Sequence, residues 1–135
     1  MQIATLAVAL VGFLHLKGPD GAFLYDEGEP VGIDMFGPGS QEFAQIEELQ
    51  TSRALKRMQD NDGQPSLASV SDRRVQEAQD LTALTSGFRH IEHGDLAGVA
   101  LFNAVYSDPK LGWIKEQALK HVRDWGKFPA VSPTA

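Results

Sequence analysis

From Asp108 to Phe128 the chain reads DPKLGWIKEQALKHVRDWGKF, and no other stretch limits the fold so firmly. Asp is a good helix N-cap. Pro suits the first helical turn, where its missing N–H leaves no bond unmade. Leu111, Ile114, Ala118, Val122 and Trp125 then recur at three- and four-residue spacing, which predicts one helix with one apolar stripe. Gly126, with Pro129 beyond it, is expected to stop that helix. Trp125 is expected to close the buried stripe. Trp113 lies off it and is expected either to cover the junction with the preceding helix or to anchor a partner. The opposite face carries Lys115, Glu116, Lys120, Arg123 and Asp124, with no nucleophile and no acid–base pair. A stripe of this kind has to be buried against another element, so contacts with other proteins are the first functional expectation.

The front of the chain has a different period. Val11, Phe13 and His15 alternate with Gly12, Leu14 and Leu16. Val31, Ile33 and Met35 alternate with Gly32, Asp34 and Phe36. Period-two patterns predict strands, and Ala22 to Tyr25 reads as a third between them. Gly18-Pro19-Asp20-Gly21 and Asp26-Glu27-Gly28-Glu29-Pro30 are the turns. Residues 11–36 therefore predict a small antiparallel β-meander, too small to stand without helices or a partner on its apolar face.

Residues 1–10 read as an apolar arm. The apolar run Ile3 to Leu16 has no basic residue ahead of it, so it lacks the front of an export signal. It is also shorter than the roughly 20 residues that span a bilayer. A buried strand or a surface-docking arm is the expectation.

Residues 40–128 predict the helical part. Ser40 is expected to cap a first helix reaching about Met58, with Phe43, Ile46, Leu49, Ala54 and Met58 inward. Asp60 to Ser66 reads as a loop. A second helix is expected over about 71–86, with Val75, Ala78, Leu81 and Leu84 inward and Gly87 as its stop. The third, Leu96 to Tyr106, is expected to be capped by Asp95, and the Asp108 helix is the fourth. Residues 129–135 read as a loose tail. The predicted class is α+β, a single domain of 135 residues with a small meander followed by about four α-helices.

Charge placement narrows the partners. Between Gly18 and Ser52 stand eight acids (Asp20, Asp26, Glu27, Glu29, Asp34, Glu42, Glu47, Glu48) and no Lys or Arg. The other ten acids face twelve bases, so the net charge of −6 is concentrated at the front. Such a front disfavours nucleic acid and anionic membrane and suits either a basic partner or plain solubility. With no cysteine, disulfides, thiolate chemistry and Cys-based zinc sites are excluded. Arg89-His90-Ile91-Glu92-His93-Gly94-Asp95 is the one chemically suggestive cluster. Its H-x-E-H order lacks the i, i+4 histidine spacing of a helical zinc site, so a polar turn between helices is the expectation. Gly37-Pro38-Gly39-Ser40 precedes a helix but has neither a Walker lysine nor a G-x-G-x-x-G pattern. No catalytic residue, cofactor or metal ligand is assigned.

A collinear set of short segments resembles the tail assembly chaperones of long-tailed bacteriophages. It comprises Ala104-Val105-Tyr106 with Asp108-Pro109, then Leu111-Gly112-Trp113-Ile114 with Gln117, then Asp124-Trp125 with Phe128. Leu14-His15-Leu16-Lys17, Leu24-Tyr25-Asp26 and Glu29-Pro30-Val31 are similar to the family's N-terminal strands. Phe36-Gly37-Pro38-Gly39-Ser40 and Arg53-Ala54-Leu55-Lys56-Arg57 are similar to its first junction and first helix. The chain departs from the family between Met58 and Ser69, which is short and polar where the family has a longer, more basic run. The resemblance implies a non-enzymatic protein of the host bacterial cytoplasm, absent from the mature virion. It implies that the chain keeps the tape measure protein soluble and helps recruit tail tube protein. Copies of itself, or a frameshifted longer form, are further partners the family implies. On this reading Phe43, Ile46 and Trp113 are the apolar partner-binding candidates, and Glu42, Glu47 and Glu48 the charged ones. A phage interaction protein aimed at a host target is the alternative, followed by a small metal-dependent enzyme built on His90, Glu92 and His93.

Overall fold

The computed structural model describes residues 1–129. Alternation at the front gives β1 (Val11–His15). The chain then leaves the sheet, forms a two-stranded hairpin of β2 (Tyr25–Asp26) and β3 (Glu29–Pro30), and returns as β4 (Gly32–Phe36). The hairpin turn holds Glu27 at φ 50° and Gly28 at φ 82°, the pair of positive angles a two-residue turn of this hand needs. β1 and β4 pair antiparallel, Val11 opposite Phe36 and His15 opposite Gly32.

Helix α1 (Gln41–Asp60) begins where expected, with Ser40 Oγ accepting from the Phe43 N–H at 3.1 Å. Helix α2 (Val70–Ala83) is capped in the same way by Ser69, which accepts from Asp72 N–H at 3.0 Å. Then comes a strand the sequence reading missed, β5 (Thr85–Arg89). It pairs antiparallel with β4, so the main sheet runs β1-β4-β5, with an irregularity between Asp34 and Met35. Gly87, read as a helix stop, sits opposite Asp34 inside that strand. Thr85 and Phe88, both good strand formers, were the available signal.

Helix α3 (Gly98–Ser107) starts later than expected. Its N-cap is Ala97, without a side-chain bond, so Asp95 does not cap it. Asp108 does act as a cap, but of a 3-10 turn (Pro109–Leu111) that leads into α4 (Gly112–His121). The fourth helix is thus shorter than its stripe suggested. Another 3-10 turn, Trp125–Lys127, follows, with Asp124 accepting from Gly126 N–H at 3.0 Å. Among the described residues the chain adopts the α+β class, with four α-helices and a small antiparallel meander.

The core lies between the inner sheet face and α2, α3 and α4. Leu16, Ile33, Met35, Leu81, Val105, Ala118 and Val122 are all buried there. Ending α4 at His121 turns Trp125 outward: it is 57% exposed, which corrects its expected core role. Phe128 is the aromatic that closes the core, and it is fully buried. Its ring fills the space over two glycines. A Cβ on Gly12 would stand 2.6 Å from the Phe128 ring, and one on Gly37 2.4 Å from it. Among the described residues no helix is long and apolar enough to cross a membrane.

Candidate interaction surfaces

Helix α1 brings most of the expected partner-binding residues together. Phe43 is half-buried and Ile46 is buried. They line a narrow crevice of about 60 Å³ between α1, α2 and α4, with Leu81, Leu84, Leu119 and Val122. Glu47 sits on the rim of that crevice, and Glu48 continues the acidic face outward. Glu42 lies in the first turn, where a negative charge suits the helix dipole. Trp113 is not part of this group. It is half-buried against the core on α4.

The inward stripe of α1 differs from the expected one. Leu49 and Leu55 are exposed, and Ala54 is exposed as well. What faces α2 instead is polar. Arg53 Nη1 donates to both carboxylate oxygens of Asp80 at 2.9 Å, and Gln50 Nε2 donates to Asp80 Oδ2 at 3.2 Å. Asp80 is 7% exposed, so this is a nearly buried charge held by two donors from one helix. Further along, Arg57 Nε donates to the Ser66 carbonyl at 3.3 Å and ties the loop back to α1.

A second surface forms at the N-terminal arm. Val8 to Leu10 run along the body, where Ala9 N–H donates to the Phe128 carbonyl at 2.9 Å and Gly37 N–H to the Leu10 carbonyl at 2.9 Å. Residues 1–7 are exposed throughout, with Met1 uncovered and Ile3 and Leu6 uncovered on a short 3-10 turn (Ile3–Leu6). Gly39 lies beside both Val8 and Trp125, so the outward Trp125 ring flanks the base of the arm. Residues 1–7 are thus an exposed arm, while the end of the same apolar run is the strand β1 and the buried Leu16.

The outer face of the sheet carries a ladder. The Arg89 guanidinium lies 4.6 Å from the Phe13 ring centre, Phe13 stacks toward His15 at 6.2 Å, and His15 on Phe23 at 4.5 Å. Lys17 Nζ caps Phe23 at 4.9 Å, and Tyr25 meets His15 edge-on at 4.9 Å. His15 is the half-buried sheet residue expected of it, with Nε2 at 2.9 Å from the Leu24 carbonyl. The His15 ring is thus covered by Phe13 and Phe23, while Phe23 and Tyr25 remain exposed.

The cluster considered for metal does not converge. His90 stands 3.6 Å from Asp26 of the β2–β3 hairpin, while Glu92 and His93 are exposed in the following turn. Among the described residues no group of three or more His, Asp or Glu is placed to hold an ion. Tyr106 and His121 are buried titratable side chains, as Asp80 is. Tyr106 shares a 2.8 Å bond with Thr85, whose hydroxyl donates to the Leu81 carbonyl at 2.7 Å, so Tyr106 is the donor. Burial pushes its pKa above the ordinary phenol range. His121 is 5% exposed, and its Nε2 has no protein partner. Burial lowers its pKa, against a bond to the Gly12 backbone that raises it. Its place between Ala118 and Val122 on the apolar stripe was the sequence signal for that burial. The chain matches no model of a known protein family, no curated protein and no solved structure.

Proposed function

We propose that this chain is a tail assembly chaperone of a long-tailed bacteriophage, acting in the host bacterial cytoplasm and absent from the finished virion. The observation that carries the reading is the uncovered apolar arm. Met1, Ile3 and Leu6 are each more than half exposed, beside an outward Trp125, in a chain of net charge −6. A chaperone for a long helical client needs apolar surface to share and like charge to keep the complex dispersed. The collinear resemblance supplies the client: tape measure protein, with tail tube protein recruited afterwards. In this reading the arm and Trp125 take apolar client helix, while Glu42, Glu47 and Glu48 attract basic client segments. Many weak contacts suit a client that must later be released.

Co-expression with the tape measure protein of the same phage tests this. The client is expected to stay soluble and to co-purify with the chain. Changing Ile3 and Leu6 to Asp should abolish co-purification without unfolding the body. Replacing Glu42, Glu47 and Glu48 with Gln should slow association more than it speeds dissociation, because exposed charges act over a screening length of about 8 Å at physiological salt. A client that stays insoluble beside the folded wild-type chain rules the reading out.

A further inference from the structure

The β1 strand is an edge of the main sheet, and its free side faces a groove. The ladder alternates. Leu16 N–H donates to the Val31 carbonyl and Gly37 N–H to the Leu10 carbonyl, so even-numbered residues of this stretch bond toward β4. Val11, Phe13 and His15 turn their main-chain groups the other way. Both ends of that free side are clipped. Ala9 N–H is taken by the Phe128 carbonyl. At the other end, Lys17 N–H donates to Gln117 Oε1 at 2.9 Å, and Gln117 Nε2 donates to the Lys17 carbonyl at 2.8 Å. Between the clips, among the described residues, no backbone or side-chain partner reaches the outward groups of Val11, Phe13 and His15.

Across from this edge stands one face of α4. Gln117, Lys120 and His121 lie on it, and with Asp124 and Lys127 beyond its end they form the far wall of a groove of about 480 Å³. The near wall is Phe13, Leu14 and His15, closed at one end by Lys17 and Phe23. Lys17, Lys120 and Lys127 stand against one carboxylate, Asp124, in a chain that is acidic as a whole. Lys120 and Lys127 are exposed, and among the described residues neither is in an ion pair. At the wall of the same groove His121 is buried with an unpartnered Nε2.

We propose that the groove between β1 and α4 is a peptide-recognition site, and that its ligand is an extended acidic segment of another protein. The segment adds as a strand to the outer edge of β1. Main-chain bonds to Val11, Phe13 and His15 supply affinity, and its acidic side chains meet Lys120 and Lys127. An edge strand beside a helix with a trough between them is the geometry this mode of recognition uses. About six residues suffice, since the free edge is about 17 Å long at strand rise. The site uses neither the exposed residues 1–7 nor α1, so it stands or falls independently of the chaperone reading.

The test uses the full chain, labelled with 15N, and two synthetic hexapeptides with capped ends, one alternating Glu and Val, the other Lys and Val. The Glu peptide should bind, shifting and protecting the amides of Val11, Phe13 and His15, while the Lys peptide does not. The double variant Lys120→Glu/Lys127→Glu changes only exposed side chains and should weaken the Glu peptide about tenfold. Methylating alternate peptide nitrogens should remove binding, because the main-chain bonds go with them. Three results overturn the proposal: no binding at millimolar peptide, binding indifferent to both charge reversal and N-methylation, or shifts confined to another surface. A free chain that sediments as a dimer with those three amides already protected also overturns it, since the groove then belongs to a second copy.

Discussion

Helices α1 and α4 divide the work of the molecule unevenly. α1 is twice as long, 20 residues against 10, yet Ile46 is its one buried residue, whereas α4 buries Ile114, Ala118 and His121. The longer helix is held through polar side chains on Asp80, the shorter through apolar contact with the centre of the fold. Length and regularity therefore say little about how firmly a helix is anchored. What matters is which residues its inward stripe presents. α4 presents a stripe that water rejects. α1 presents Phe43, Ile46, Gln50, Arg53 and Arg57, a stripe whose inner end is apolar and whose outer end needs a specific carboxylate.

That contrast breaks most readily at its tight end. Phe128→Ala should destabilise the chain by about 3–5 kcal/mol, because the ring is fully buried over Gly12 and Gly37 and the glycines cannot collapse onto the void. Chemical denaturation measures it, and a loss under about 1 kcal/mol would mean the 3-10 turn is loosely docked.

The loose end should yield differently. Arg53→Ala strands the Asp80 carboxylate at 7% exposure and should cost about 3 kcal/mol, with Asp80→Asn milder because the amide is neutral. Hydrogen exchange adds the sharper measure. In Arg53→Ala the amides of α1 should lose protection well before those of α4. Equal loss in both would show that the two helices form one cooperative unit.

A smaller effect comes from His121. Its folded pKa lies below the usual 6.5, so between the two values the unfolded chain binds more protons. Stability from this group is full above about 6.5 and is lost as pH falls from there through the folded pKa. Melting temperature should drop with acid over that window, and His121→Met should flatten that part of the curve. An unchanged slope would assign the acid sensitivity elsewhere.

The smallest stability effect should be Trp125→Ala, within about 0.5 kcal/mol, because the ring is 57% exposed. If the chaperone reading holds, the same variant retains less tape measure protein in a co-purification assay. A large fall in melting temperature would instead place the ring inside a cooperative arm–body contact.

Much of this was legible in the sequence because it is local. Ser40 and Ser69 cap helices through their own hydroxyls, alternation marks β1 and β4, and Glu27-Gly28 makes its turn with backbone torsions alone. The α+β class follows from those signals, and so does the burial of Ile114, Ala118 and Val122. Other features depended on partners far along the chain. β5 is a strand because β4 offers it an edge; by itself Thr85-Ser86-Gly87-Phe88-Arg89 holds a glycine that reads as a stop. Trp125 continues the helical stripe on paper, but α4 ends at His121 and Phe128 takes the socket over two glycines more than ninety residues away in sequence. Gln50, Arg53 and Asp80 look like ordinary surface residues until two helices bring them together. Lys17, Lys120 and Lys127 share a groove only once β1 lies alongside α4. Period and capping are properties of neighbouring residues, which a sequence states directly. Burial, charge pairing and grooves are properties of surfaces that meet, and only the tertiary structure decides which surfaces those are.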